Sequence, residues 1–185
     1  MRENFAAYVR FLPQRDHGTG LSPMNAHLIL NDLRSLRHRM DVMSKNAMKV
    51  AEFLNQHSNV EAVGYPGLPS SKGHETAKKY MWLVDGEEDY GKSVNRFGYL
   101  MSFNVKGGVQ AARDVFDKFN MIYRATDLGR MKSVATIPAI STHQQQGEEG
   151  RELASLPPHL IRLSVGMEHP ADIINDLDQA LKAAK

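Results

Sequence analysis

The stretch Leu160-Ile161-Arg162-Leu163-Ser164-Val165-Gly166, running on through Met167-Glu168-His169-Pro170, decides how this chain is read. Ile161, Leu163 and Val165 alternate with Leu160, Arg162, Ser164 and Gly166, the period of two that marks a strand with one buried face. Arg162 therefore lies on the opposite face. Gly166 ends the strand, Pro170 suits a first helical turn, and Ile173, Ile174, Leu177, Leu181 and Ala184 recur at helical spacing, so a helix follows and folds back. A guanidinium in mid-strand has two readings. It is either a solvated charge on an open sheet face or a rigid fork of donors that holds a carboxylate or phosphate bidentately.

Composition narrows the classes around that strand. The chain has 185 residues, 42% hydrophobic and 24% charged, which are ordinary globular values. A formal net charge of +2 is too small to argue for nucleic acid. Cysteine is absent, which removes disulfides, thiolate metal sites and cysteine nucleophiles and agrees with a reducing cytosol. No apolar run approaches the roughly 20 residues of a spanning helix, and the first residues lack a signal-peptide core. The expectation is a soluble cytoplasmic protein with no membrane partner.

Upstream, residues 1–20 read as an arm or linker, with Pro13 and Gly18-Thr19-Gly20 breaking any pattern before a helix can start. Ser22-Pro23 is a helix start, and the remainder, 21–185, reads as one domain. From Ala26 through Ile29, Leu33, Leu36, Met40, Met43, Ala47, Val50 and Leu54 the apolar residues recur at alternating spacings of three and four. One helix over that length spans roughly 50 Å, against a radius of gyration of about 16 Å for a globule of this size. Such a rod is covered by a partner, pairs as a coiled coil, or is shortened by a kink. The cations Arg34, Arg37, His38 and Arg39 lie off the stripe, as a solvated face does.

Between the long helix and the decisive strand, Asn59–Tyr65 reads as a strand with Val60, Ala62 and Gly64 on one face, and Ser71–Met81 as a helix with Thr76, Ala77 and Tyr80 inward. The polar run Asp85–Lys92 reads as a loop, Tyr99–Val105 as a strand, Val109–Phe119 as a helix and Met121–Ala125 as a third strand. Asp127–Gly150 is mostly loop with a short helix at Arg130–Ala135. The fold class is thus α+β, a small, mostly antiparallel four-stranded sheet with helices on one face. The eight histidines show no i, i+4 pair with a carboxylate, so no metal site is read. Ser141-Thr142-His143 reads as a polar turn, because neighbours in sequence do not face one another as a triad must. No catalytic residue is assigned.

At this point a set of short motifs in order carries a resemblance: Arg39-Met40, Asn46-Ala47, Val50–Leu54, Tyr65–Leu68, Leu128-Gly129 with Ser133, Pro138-Ala139 with Thr142-His143, Ile161–Gly166 with Glu168, and Asp172 with Asp176-Leu177 and Ala180-Leu181. The chain resembles the C-terminal domain of the pyridoxal-phosphate (PLP) enzymes of cysteine and methionine metabolism, over about Gly18 to Leu181. The resemblance implies a domain of a fold-type-I PLP enzyme, joined by the long helix to a larger N-terminal domain that binds PLP. It implies beta- or gamma-elimination or gamma-replacement on a sulfur-related amino acid, in an enzyme that is habitually a tetramer. It implies that Arg162 binds the substrate alpha-carboxylate and that Asp127 and Leu128 stand at the family's substrate contact. Asp127 departs from the usual serine or asparagine; a carboxylate there repels a substrate carboxylate unless paired with Arg162 or Arg130. Because the cofactor lysine of the family belongs to the N-terminal domain, the chain alone is expected to be inactive. A rival expectation is a free-standing binding or assembly domain on the same scaffold.

Overall fold

The computed structural model describes residues 4–84 and 90–183. It divides into two compact units, Met1–Arg37 and His38–Lys185. The first carries α1 (Phe5–Val9), a π-helical turn Arg10–Gln14, α2 (Arg15–His17) and α3 (Pro23–Leu33). The Asn4 side chain accepts from Ala7 N–H, and a wide π turn accommodates Pro13, which has no N–H to give. The reading of residues 1–20 as broken before a helix can start is therefore corrected; Gly18, at φ 68°, ends the helical run. Ser22 caps α3 as expected, its hydroxyl accepting from Asn25 N–H at 3.2 Å.

The long helix is also corrected. Its apolar stripe continues, but the helix is interrupted after Leu33 and resumes as α4 (Leu36–Gln56). At the break, Ser35 donates both its N–H, at 3.3 Å, and its hydroxyl, at 3.1 Å, to the Asp32 carbonyl. Met43, Ala47, Val50 and Leu54 of the stripe are buried, whereas Ile29, Leu33 and Leu36 are exposed.

The second unit is built on one sheet of five strands: β1 (Val60–Gly64), β4 (Leu100–Val105), β7 (Leu160–Ser164), β6 (Val134–Thr136) and β5 (Tyr123–Arg124), in that spatial order. A separate hairpin pairs β2 (Trp82–Val84) with β3 (Ser93–Asn95). The first four strands of the sheet pair antiparallel and β5 pairs parallel with β6. The sheet is thus five-stranded and mixed, not four-stranded and antiparallel.

The additional strand, β6, overlaps the end of Arg130–Ala135, so the short helix expected there is corrected. Val134, Ala135 and Thr136 are all buried, so no alternation marks them. In β1 a bulge between Val60 and Ala62 shifts the phase, which turns Val63 rather than Ala62 toward the core. In α5 (His74–Tyr80) only Ala77 is buried; Thr76 and Tyr80 point outward. Of the Asp85–Lys92 loop, residues 85–89 lie outside the described residues, as does Ala184 of the C-terminal stripe.

One face of the sheet meets α4, α6 (Gly108–Asp117) and, after the short α7 (Gly147–Leu153), α8 (Pro170–Ala183). Met101, Phe103 and Val105 of β4 and Ile161, Leu163 and Val165 on β7 and just beyond it bury against Val50, Leu54, Val115, Ile173, Leu177 and Leu181. Asp176 of α8, itself buried, accepts the backbone N–H groups of Asn120, Met121 and Ile122 at 2.8 to 2.9 Å, which fixes the turn that enters β5. None of the described helices is long and apolar enough to cross a membrane.

Candidate functional site around Arg162

The strand alternation puts Arg162 on the sheet face away from the helices, between Ser102 of β4 and Thr136 of β6 in register. It is half-buried, and it lines an open cleft of about 310 Å³ together with Ser102, Leu100, Pro138, His143 and Leu156. Its Nη2 donates to the Thr126 carbonyl at 3.0 Å. Among the described residues no carboxylate lies within ion-pair range of this guanidinium. Arg124 shows the contrasting, structural use of the same side chain. Its fork is taken up by the carbonyls of Phe116, Asp117 and Phe119 at the end of α6.

Asp127 and Leu128 follow Thr126 in the turn after β5. Thr126 brings this turn to Arg162, while the Asp127 carboxylate is ion-paired with Arg130 three residues on. Of the two partners the sequence left open for Asp127, the structure uses Arg130. Leu128 is 47% exposed. Gly129 occupies the left-handed region at φ 76°, and a Cβ there would lie 2.7 Å from Tyr99 Oη.

The turn carrying Ser141, Thr142 and His143 is not a triad. The Ser141 hydroxyl donates to the Ile137 carbonyl at 2.8 Å, and the Thr142 hydroxyl lies 2.8 Å from His143 Nδ1. His143 nevertheless lines the Arg162 cleft, which sequence reasoning missed; no local pattern indicates that this turn folds over the sheet. Among the described residues no group of three or more metal-ligating side chains is placed to hold an ion.

Several residues that carried the resemblance form one hydrogen-bonded latch at the end of β7. Glu168 accepts from Ser133 N–H at 2.6 Å and from its hydroxyl at 2.9 Å. Gly166 N–H donates to Ser133 Oγ at 2.9 Å, and Asn46 Nδ2 donates to the carbonyls of Gly166 and Glu168. These motif residues therefore build the frame of the site and do not themselves line the cleft.

By architecture the second unit is an α+β domain, a mixed sheet with α4, α6 and α8 against one face and Arg162 on the other. The family model described as Cys/Met metabolism PLP-dependent enzyme matches residues 2–182, and the chain belongs to that family. It is 40% identical over 168 residues to O-acetyl-L-homoserine sulfhydrylase of Leptospira meyeri, covering 91% of this chain and 36% of the relative. It is 38% identical to cystathionine gamma-lyase of Sus scrofa, covering 98% of this chain and 42% of the relative. A putative O-acetylhomoserine (thiol)-lyase from Campylobacter jejuni, solved with an N'-pyridoxyl-lysine-5'-monophosphate, superposes with a TM-score of 0.83 at 37% identity, over 96% of this chain and 39% of that one. Cystathionine gamma synthase from Xanthomonas oryzae pv. oryzae, in complex with cystathionine, superposes at 0.75 with 34% identity, over 88% and 39%. The chain thus spans about two fifths of the length of the relatives it matches.

The family's cofactor is pyridoxal phosphate. Covalent anchorage of that group needs a lysine amine, and among the described residues no lysine lines the cleft around Arg162. The described residues around Arg162 thus offer a guanidinium and hydroxyls but not the amine that would anchor the cofactor.

Proposed function

We propose that the chain is the C-terminal, substrate-side part of a PLP-dependent enzyme that carries out beta- or gamma-elimination, or gamma-replacement, on a sulfur-related amino acid of the cystathionine, methionine or O-acyl-homoserine class. In this reading Arg162 binds the substrate alpha-carboxylate, and Asp127 and Leu128 contact the same substrate. Residues 1–20 form an arm and 21–185 the domain; the parent enzyme is cytoplasmic and tetrameric, and its PLP lysine comes from an N-terminal domain. The observation that carries this reading is the Arg162 fork, set on a rigid strand, opening on a cleft and carrying no carboxylate of its own among the described residues. Such a fork binds a small carboxylate bidentately, in a geometry lysine does not reproduce.

The cofactor, when bound, supplies an electron sink, and what this chain supplies is orientation. The Asp127 carboxylate does not oppose an incoming carboxylate as a bare charge, because Arg130 neutralises it. The test joins the chain to the N-terminal domain of a relative and measures cofactor absorbance and turnover. Arg162→Ala is expected to raise KM for the amino acid roughly tenfold to a hundredfold, the loss of a charge-assisted contact of about 1.5 to 3 kcal/mol. An unchanged KM overturns the role of Arg162. Failure to acquire the cofactor in any such assembly favours a non-catalytic binding or assembly domain.

A further inference from the structure

Arg162 and Ser164 stand two residues apart on β7 and hold the two ends of one turn. Arg162 Nη2 donates to the Thr126 carbonyl at 3.0 Å, and Ser164 Oγ accepts the Gly129 N–H at 3.2 Å. Thr126 and Gly129 bracket Asp127 and Leu128. Ser164 is 1% exposed and sits between Leu100 and Val134 in register, so its hydroxyl has little room to move. Gly129 leaves no room for a side chain, since a Cβ there would lie 2.7 Å from Tyr99 Oη. Beyond the turn the segment after β7 continues to stitch: Met167 N–H donates to the Met131 carbonyl at 2.7 Å, and Gly166 and Glu168 hold Ser133.

We propose that Ser164 is a positioning residue for the Arg162 site. Its oxygen holds the Thr126–Gly129 turn, and with it the Asp127–Arg130 ion pair, at a set distance from the guanidinium, so that fork and turn face a ligand as one body. This rests on the reading that Arg162 meets a ligand carboxylate. Without the oxygen the Gly129 N–H loses its acceptor. The turn then stays tethered to β7 at its Thr126 end and, from Met131 onward, to the Gly166–Glu168 segment that follows β7, and the Asp127–Leu128 segment between them relaxes.

The test needs no ligand and uses the whole chain. In Ser164→Ala, amide exchange at Gly129, read by NMR, is expected to quicken at least about tenfold, and the Arg162 Nε–H resonance to shift, while the Phe103 and Leu163 amides keep their protection. Ser164→Cys, close in size with a weaker acceptor, is expected to give an intermediate exchange rate, and it is the variant read if Ser164→Ala does not fold. Unchanged exchange at Gly129 with an unmoved Arg162 signal overturns the proposal. So does protection lost evenly through β4 and β7, which is what a purely structural serine produces. Either result leaves the carboxylate reading standing, whereas an unchanged KM in Arg162→Ala removes that reading and leaves the exchange result intact.

Discussion

Glu168 grips Ser133 twice, one carboxylate oxygen on the backbone N–H at 2.6 Å and the other on the hydroxyl at 2.9 Å. The same hydroxyl accepts from Gly166 N–H, so the end of β7 and the start of β6 are tied through one carboxylate. Charge-assisted bonds of this kind are about twice as strong as neutral ones. Glu168→Ala leaves the Ser133 amide N–H and hydroxyl O–H without their acceptor and is expected to lower stability by about 2 to 3 kcal/mol, with Glu168→Gln losing about half of that. Urea unfolding checks both; a loss under about 0.5 kcal/mol for Glu168→Ala contradicts the latch.

Gly166→Ala tests the tightness of the same corner. A Cβ at this position would collide with Glu168 Oε2, the Met131 carbonyl and Ser133 N, all three well inside 3.0 Å. Two of these three atoms are backbone and cannot swing away. The substitution is expected to destabilise by about 3 kcal/mol through overpacking, and to do so less in a Glu168→Ala background, where one of the clashing atoms is gone. Equal losses in the two backgrounds argue against a shared corner.

The acid limb of stability is expected to follow Asp41. Burial pushes its carboxyl up, but hydrogen bonds from Arg96, at 2.5 Å, and Lys45, together with their charges, outweigh that and hold it below the ordinary 3.8. The folded protein thus releases this proton more readily than the unfolded chain. The stabilisation is present in full above pH 3.8 and is lost as pH falls through the lower folded value. Asp41→Asn is expected to lower stability at neutral pH and to flatten the decline below pH 4, as read from urea midpoints across pH. An acid limb as steep as that of the parent rules out this assignment.

At the alkaline end the corresponding group is Tyr65. Burial pushes its phenol from the ordinary 10.0 up to about 12, and its hydroxyl donates to the Gly98 carbonyl at 2.9 Å. Here the raised value favours the protonated form in the fold. The stabilisation is complete below pH 10.0 and drains away as pH climbs toward about 12. Tyr65→Phe is expected to flatten that decline while lowering neutral-pH stability by about 1 kcal/mol, because the Gly98 carbonyl loses its donor. Stability and tyrosinate absorbance followed together across this range give the test; a parent chain in which all tyrosines ionise before any loss of stability contradicts it.

Several features of the fold are legible in the order of the residues. The alternation around Arg162 puts it opposite Ile161, Leu163 and Val165, and these three are fully buried on the helix side. The period of Ile173, Leu177 and Leu181 marks α8, and Ser22 marks the start of α3. These are properties of neighbours along the chain, where burial on one side writes a rhythm into the residues.

Burial on both sides erases that rhythm, so Val134-Ala135-Thr136 does not declare itself a strand, and the mixed, five-stranded order stays hidden with it. The bulge in β1 changes which residues face inward, and the choice of Arg130 as partner of Asp127 depends on how one turn lies against β7. Sequence by itself determined the elements with one wet face, the family, and the arginine on the outer face of its strand. Tertiary structure decided strand order, register, and what each polar group touches, because those depend on atoms brought together from distant parts of the chain.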